Sequence, residues 1–133
     1  MIGSDSPSIG IGQITEKRFD ETVANHKELA GIKFTDLVTN DMFAILVTAY
    51  HIKDIQDRVM ATPRNTDERP DVTIIWIAYG YNMGPQFAEE AAGGKPMYGN
   101  KSDHTGFYYA SEIYGNYLEA DKLLCHSEYW SCE

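Results

Sequence analysis

The chain has 133 residues, 43% of them hydrophobic and 23% charged, and 20 acids against 11 bases leave a formal net charge of −9. That is the size and composition of one globular domain over residues 1–133. The acidic balance argues against a nucleic-acid partner, which needs a basic face to neutralise phosphates, and against anionic lipid, and no apolar run approaches the roughly 20 residues of a membrane span.

Residues 1–12 are small and turn-prone, with Gly3, Ser4, Asp5, Ser6, Pro7, Ser8, Gly10 and Gly12, and read as a loop. Thr15 is placed to cap a helix running through about Leu29, with Phe19, Val23 and Ala24 inward and Gly31 ending it. The strongest helical pattern follows. Thr39 or Asn40 caps it, Asp41 lies in its first turn, and Met42, Ile45, Leu46, Ala49, Ile52 and Ile55 recur at spacings of three and four, ending near Val59. His51, Lys53, Asp54 and Asp57 fall mainly off that stripe.

Residues 61–70 read as a loop, after which Pro70-Asp71 opens an apolar segment over 72–79. Its Ile74-Ile75-Trp76-Ile77 centre fits a buried strand or a central helix equally by periodicity. Helix is the expectation, because its neighbours are helical and no partner strand is evident. The glycines and proline of 79–85 then break the segment. Pro85 opens a short helix through Ala92, residues 93–102 form an exposed loop, and a last helix covers about 106–124. The expected fold class is all-α, with about five helices.

Two cysteines, Cys125 and Cys132, stand close together near the end of the chain. They are compatible with a short-loop disulfide outside the cytosol or with two thiols. His26, His51, His104 and His126 make no metal-ligand spacing, so neither a metal nor another cofactor is expected. No signal peptide is evident at Met1. Among the acids, Glu16, Asp20 and Glu21 suit a helix's first turns, Glu89-Glu90 suits a solvated face, and Glu112 is expected to be exposed.

Two short stretches carry chemistry. Ser8-Ile9-Gly10-Ile11-Gly12-Gln13-Ile14 is glycine-rich but lacks the Lys-Ser/Thr of a phosphate loop. Ala78-Tyr79-Gly80-Tyr81-Asn82-Met83-Gly84-Pro85 by itself reads as a helix end followed by a new start. In this order, with a long helix between them, they are more specific. The first resembles the Ser…Gly-x-Gly…Gln motif of soluble lytic transglycosylases and goose-type lysozymes, with one residue fewer before the Gln than the commonest form. The second is similar to that family's Tyr-Asn-Ala-Gly-Pro motif. His104-Thr105-Gly106-Phe107-Tyr108-Tyr109-Ala110 resembles its late substrate-contacting segment.

The resemblance implies a lysozyme-like helical domain with a glycan-binding cleft. The implied activity is cleavage of the β-1,4 bond between N-acetylmuramic acid and N-acetylglucosamine in peptidoglycan, in the bacterial periplasm or outside the cell. It implies that Gly10 and Gly12 let the backbone approach sugar, that Gln13 and Asn82 offer both a donor and an acceptor, and that Tyr81 and Tyr109 bond through their hydroxyls and stack with their rings. Such cleavage needs a carboxylic acid to protonate the leaving oxygen. The family's catalytic Glu lies upstream of the Gly–Gln motif, and no Glu precedes Glu16 here. The acid is therefore expected before residue 1, in a longer parent protein such as an antibacterial effector or a tail-associated lysin. Asp5 stands near the place of a family Asp that positions the attacking water, while a second such Asp is replaced by Thr15. Expected partners are the glycan strand, the remainder of the parent protein and an immunity or inhibitor protein. The alternative is a non-catalytic module that binds cell-wall glycan.

Overall fold

The computed structural model describes residues 8–63 and 70–124. Among them the fold is all-α, six helices with one two-stranded antiparallel ladder, and none of the helices is long and apolar enough to cross a membrane. The chain divides into two compact units, Met1–Asp54 and Ile55–Glu133.

The first unit opens with a hairpin where the sequence pattern predicts only loop. β1 (Ser8–Ile9) pairs with β2 (Ile14–Thr15), Ser8 opposite Thr15 and Ile9 opposite Ile14. Thr15 then caps α1 (Glu16–Asn25) as expected. Its backbone is extended, and its hydroxyl accepts the Arg18 N–H at 3.4 Å. The helix stops earlier than expected: His26 is extended at φ −133°, and a single 3₁₀ turn, Lys27–Leu29, follows. The cause is tertiary. The His26 ring is engaged by Asp54 and Tyr50, and the tighter turn delivers Leu29 fully into the core. Inward positions of α1 are Phe19 and Thr22, with Val23 half-buried, whereas Ala24 is exposed. Buried Thr22 satisfies its hydroxyl on the Arg18 carbonyl at 2.7 Å.

Four helical residues not foreseen, α2 (Asp36–Thr39), precede α3 (Asp41–Met60). The Asp36 carboxylate accepts the Lys33 N–H at 2.8 Å, and Asn40 caps α3 by accepting the Phe43 N–H at 3.1 Å. The inward stripe of α3 is corrected by the structure at every position except Ile55, which is buried as expected. Met42 is 71% and Ile45 52% exposed, and Leu46, Ala49 and Ile52 are exposed too. The buried stripe runs Ala44, Val47, His51, Ile55, Val59. Both stripes have helical spacing; the buried one places the small Ala44 where the hairpin comes close. A Cβ on Gly10 would lie 2.9 Å from the Leu37 carbonyl, so Gly10 has no room for a side chain, and it would meet the Ala44 Cβ at an ordinary 3.5 Å. Ile14, Phe19, Leu29, Leu37, Ala44 and Val47 form the core of this unit. Val47→Ala is accordingly expected to cost about 2 kcal/mol, while Ile45→Gln, larger and more disruptive by composition, stays within about 0.5 kcal/mol. Urea midpoints of the two variants check this, and equal losses would contradict the assignment of faces.

In the second unit the end of α3 packs with α4 (Pro70–Met83), α5 (Pro85–Ala92) and α6 (Phe107–Leu124). Residues 72–79 are helical, as expected from their context. The helix does not break at Tyr79, however, but continues to Met83 and ends at Gly84, whose φ of 127° turns the chain. Gly80 belongs inside the helix for a packing reason: a Cβ there would stand 2.4 Å from the Ala88 Cβ of α5. Pro85 then opens α5 in its first turn. Trp76, Ala78 and Tyr79 of α4 meet Ile55, Val59, Ala88, Ala91, Ala92 and Ala110 in one core, whose alanines let the helices approach closely. Cys125 and Cys132 lie outside the described residues.

Candidate functional site

The Gly–Gln stretch is a four-residue turn closing the β1–β2 hairpin. Gly10 takes φ 75° and Gln13 takes φ 51°. A left-handed backbone at a residue with a Cβ costs of order 1–2 kcal/mol, so the surrounding bonds must over-determine it. They do. The Gly10 carbonyl accepts both the Gln13 backbone N–H at 3.1 Å and its side-chain amide at 2.9 Å. The Ser8 hydroxyl donates to the Gln13 Oε1 at 3.0 Å. Gln13 is exposed while holding this geometry, and the next residue, Ile14, is buried. Gly10 faces Leu37 and Ala44, so the close approach its missing side chain permits is to α2 and α3. Gly12 is half-buried. Asp5 lies outside the described residues.

The second set gathers at the C-terminal end of α4. Tyr81 is half-buried and packs against the core of its unit, as does Tyr109 on α6. Burial pushes the Tyr109 hydroxyl above the ordinary tyrosine range, so it is protonated and able to donate at any physiological pH. Asn82 is exposed, and its Oδ1 accepts the Gly106 N–H at 2.6 Å. Two stretches separated by 24 residues are thereby joined, the Tyr-Asn-Met-Gly-Pro end of α4 and the segment that opens α6.

A second tie runs parallel: the buried Tyr79 hydroxyl accepts the Tyr98 N–H at 3.0 Å, and the Tyr98 carbonyl accepts the Phe107 N–H at 2.8 Å. The loop between is closed by its own polar side chains. The Asn100 Oδ1 accepts from both the N–H and the hydroxyl of Ser102, and the Asn100 amide donates to Asp103 at 2.9 Å. His104 Nδ1 stands 2.9 Å from Glu112, both exposed, which gives that acid a surface partner.

No family model, curated protein or solved structure matches this chain.

Sequence reasoning missed two features here. Tyr98 is 64% exposed, and with exposed Phe107 and Tyr108 it crowds aromatic surface around the Asn82-anchored turn; the paired glycines Gly99 and Gly106 were the only hint. His51 is buried on the inner face of α3, beside the His26–Asp54 contact. Its signal was present as the competing stripe 44-47-51-55-59, hidden by the bulkier apolar series. Among the described residues no three His, Cys, Asp or Glu side chains are placed to share a metal ion.

Proposed function

We propose that this chain supplies the glycan-holding part of a lysozyme-like, peptidoglycan-cleaving glycosidase acting at the β-1,4 bond between N-acetylmuramic acid and N-acetylglucosamine, outside the cytoplasm. The observation that carries the reading is the 2.6 Å bond from the Gly106 N–H to Asn82. It makes one rigid polar edge out of the two stretches that resemble the family's saccharide-contacting motifs, with Tyr81 and Tyr109 beside it. A rigid edge suits carbohydrate, because a hydrogen-bonding ligand gains most where the protein's polar groups are already oriented. The proposed saccharide contacts on that edge are Tyr81, Asn82 and Tyr109; Gly10, Gly12 and Gln13 of the hairpin turn are proposed contacts of the first unit, taken by themselves. The general acid would be the family's upstream Glu, with Asp5 positioning water.

The second reading is a glycan-binding module without catalysis, which the same Asn82–Gly106 edge would serve. Two measurements separate the readings. Titration of the chain with chito-oligosaccharide, followed by two-dimensional NMR, is expected to shift resonances of residues 79–84 and 104–110. Asn82→Ala is expected to weaken binding about tenfold, the equivalent of about 1.4 kcal/mol. Unchanged affinity in that variant, or no binding by the wild type, would refute both readings. Mass spectrometry of peptidoglycan incubated with the chain joined to an upstream segment that carries a Glu then decides between them: released muropeptides, diminished in Asp5→Asn, mark a catalyst, and binding without release marks a module.

A further inference from the structure

Between α1 and α3 a partly exposed polar cluster borders the apolar core of the first unit, with one member, His51, buried. His51 is 4% exposed on the inner face of α3, between Val47 and Ile55, both fully buried. The charged groups acting on it are Arg18 and Glu21 from α1 and Asp54 from α3 itself. Arg18 and Glu21 are paired at 2.9 Å. Asp54 is engaged by His26, whose Nε2 stands 2.6 Å from Oδ1, and the His26 ring lies 4.5 Å from that of Tyr50. One carboxylate thus acts on two imidazoles, and a guanidinium acts on the buried one as well.

A leucine at position 51 would fill the same face with no polar atom to satisfy. A histidine makes the packing depend on a proton, because the charged ring pays desolvation beside an existing cation. We infer that His51 is a proton-sensitive latch, holding α1 on α3 while neutral and releasing it when protonated. α1 starts at its cap Thr15, which is also the last residue of the hairpin. Release of α1 therefore removes the support behind the Gln13 turn, and acid would loosen that turn whatever ligand it serves.

The direction follows from the environment. Burial first, then Arg18, pushes His51 below the ordinary histidine range, against the smaller opposing pull of Asp54 and Glu21. The unfolded chain takes up this proton near pH 6.5, the folded chain only at lower pH. The stability contributed by neutral His51 is whole above about pH 6.5 and is lost progressively as the pH falls below it.

The test is amide hydrogen exchange on the full chain at pH 7.5, 6.5 and 5.5, expressed as protection factors so that the intrinsic pH dependence cancels. Protection over Glu16–Asn25 is expected to fall severalfold across this range, below the roughly tenfold ceiling that one group with an unfolded pKa near 6.5 sets, while that over Pro85–Ala92 stays constant. In His51→Gln, which removes the buried ring and leaves His26 in place, most of the fall over α1 is expected to be lost; His51→Phe serves the same purpose if the glutamine variant does not fold. A flat wild-type profile, or an undiminished fall in the variant that folds, overturns the latch.

Discussion

Tyr79→Ala is expected to cost about 3–5 kcal/mol, the amount typical of a large ring removed from a closed core, and so to consume much of the roughly 5–15 kcal/mol that holds a domain folded. Tyr79 heads the fully buried side chains of the described residues, at 1% exposure. Its ring meets Phe87 edge-on, with centroids 6.2 Å apart, and its hydroxyl supplies the acceptor for the Tyr98 N–H. Tyr79→Phe separates these roles. The ring is kept, the acceptor is lost, and about 1–2 kcal/mol should disappear because the Tyr98 N–H is left without its partner. Denaturant titration of both variants gives the two numbers. Amide exchange at Tyr98 gives the local one, with faster exchange expected in Tyr79→Phe at near-normal global stability. Phenylalanine behaving as badly as alanine would mean that the hydroxyl bond, rather than the ring, organises this unit.

The elements most legible in the sequence are those whose ends are written locally. Thr15, Asn40 and Pro85 each mark a helix start through a side-chain acceptor or a fixed φ, and each does so in the structure. Interior positions are harder. α3 carries two apolar stripes of similar strength, and hydrophobicity ranks the bulkier one first. The choice is made elsewhere, by the close approach of Gly10 to Leu37 and Ala44, a long-range fact absent from any window of α3. Gly80 misleads for the same reason, since a glycine inside a helix reads as a break until Ala88 is known to fill its space. His26 ends α1 by binding Asp54, 28 residues on, and no local propensity encodes that. For the candidate site, sequence resemblance nominates Asn82 and Gln13. The structure adds that both side chains already hold local architecture, Asn82 on Gly106 and Gln13 on Gly10 and Ser8. A binding role for either must therefore be tested by variants that separate ligand contact from loop geometry.

Glycine-to-alanine substitution at two places on or beside α6 provides such a separation, with opposite expected signs. Gly106 has φ +58°, and a Cβ there would fall 1.9 Å from the Tyr98 carbonyl oxygen and 2.8 Å from the Gly99 Cα. Backbone lies in the way, so the chain itself must move. The strained φ and the overlap together should cost about 3 kcal/mol or more. The movement also pulls the Gly106 N–H from Asn82, so chito-oligosaccharide affinity should fall at least as far as in Asn82→Ala. Asn82 is also a proposed saccharide contact, so the double variant should bind worse than Gly106→Ala alone. Gly115 is mid-helix and exposed, and a methyl group added there would meet nothing within 4 Å. Gly115→Ala should therefore stabilise by roughly 0.5–1 kcal/mol through helix propensity and leave binding unchanged. Thermal melts and saccharide titrations on the wild type and these variants give every term. Additive binding losses in the double variant would show that Asn82 meets the sugar directly and independently of the loop; full non-additivity would show that its contribution is the position of Gly106.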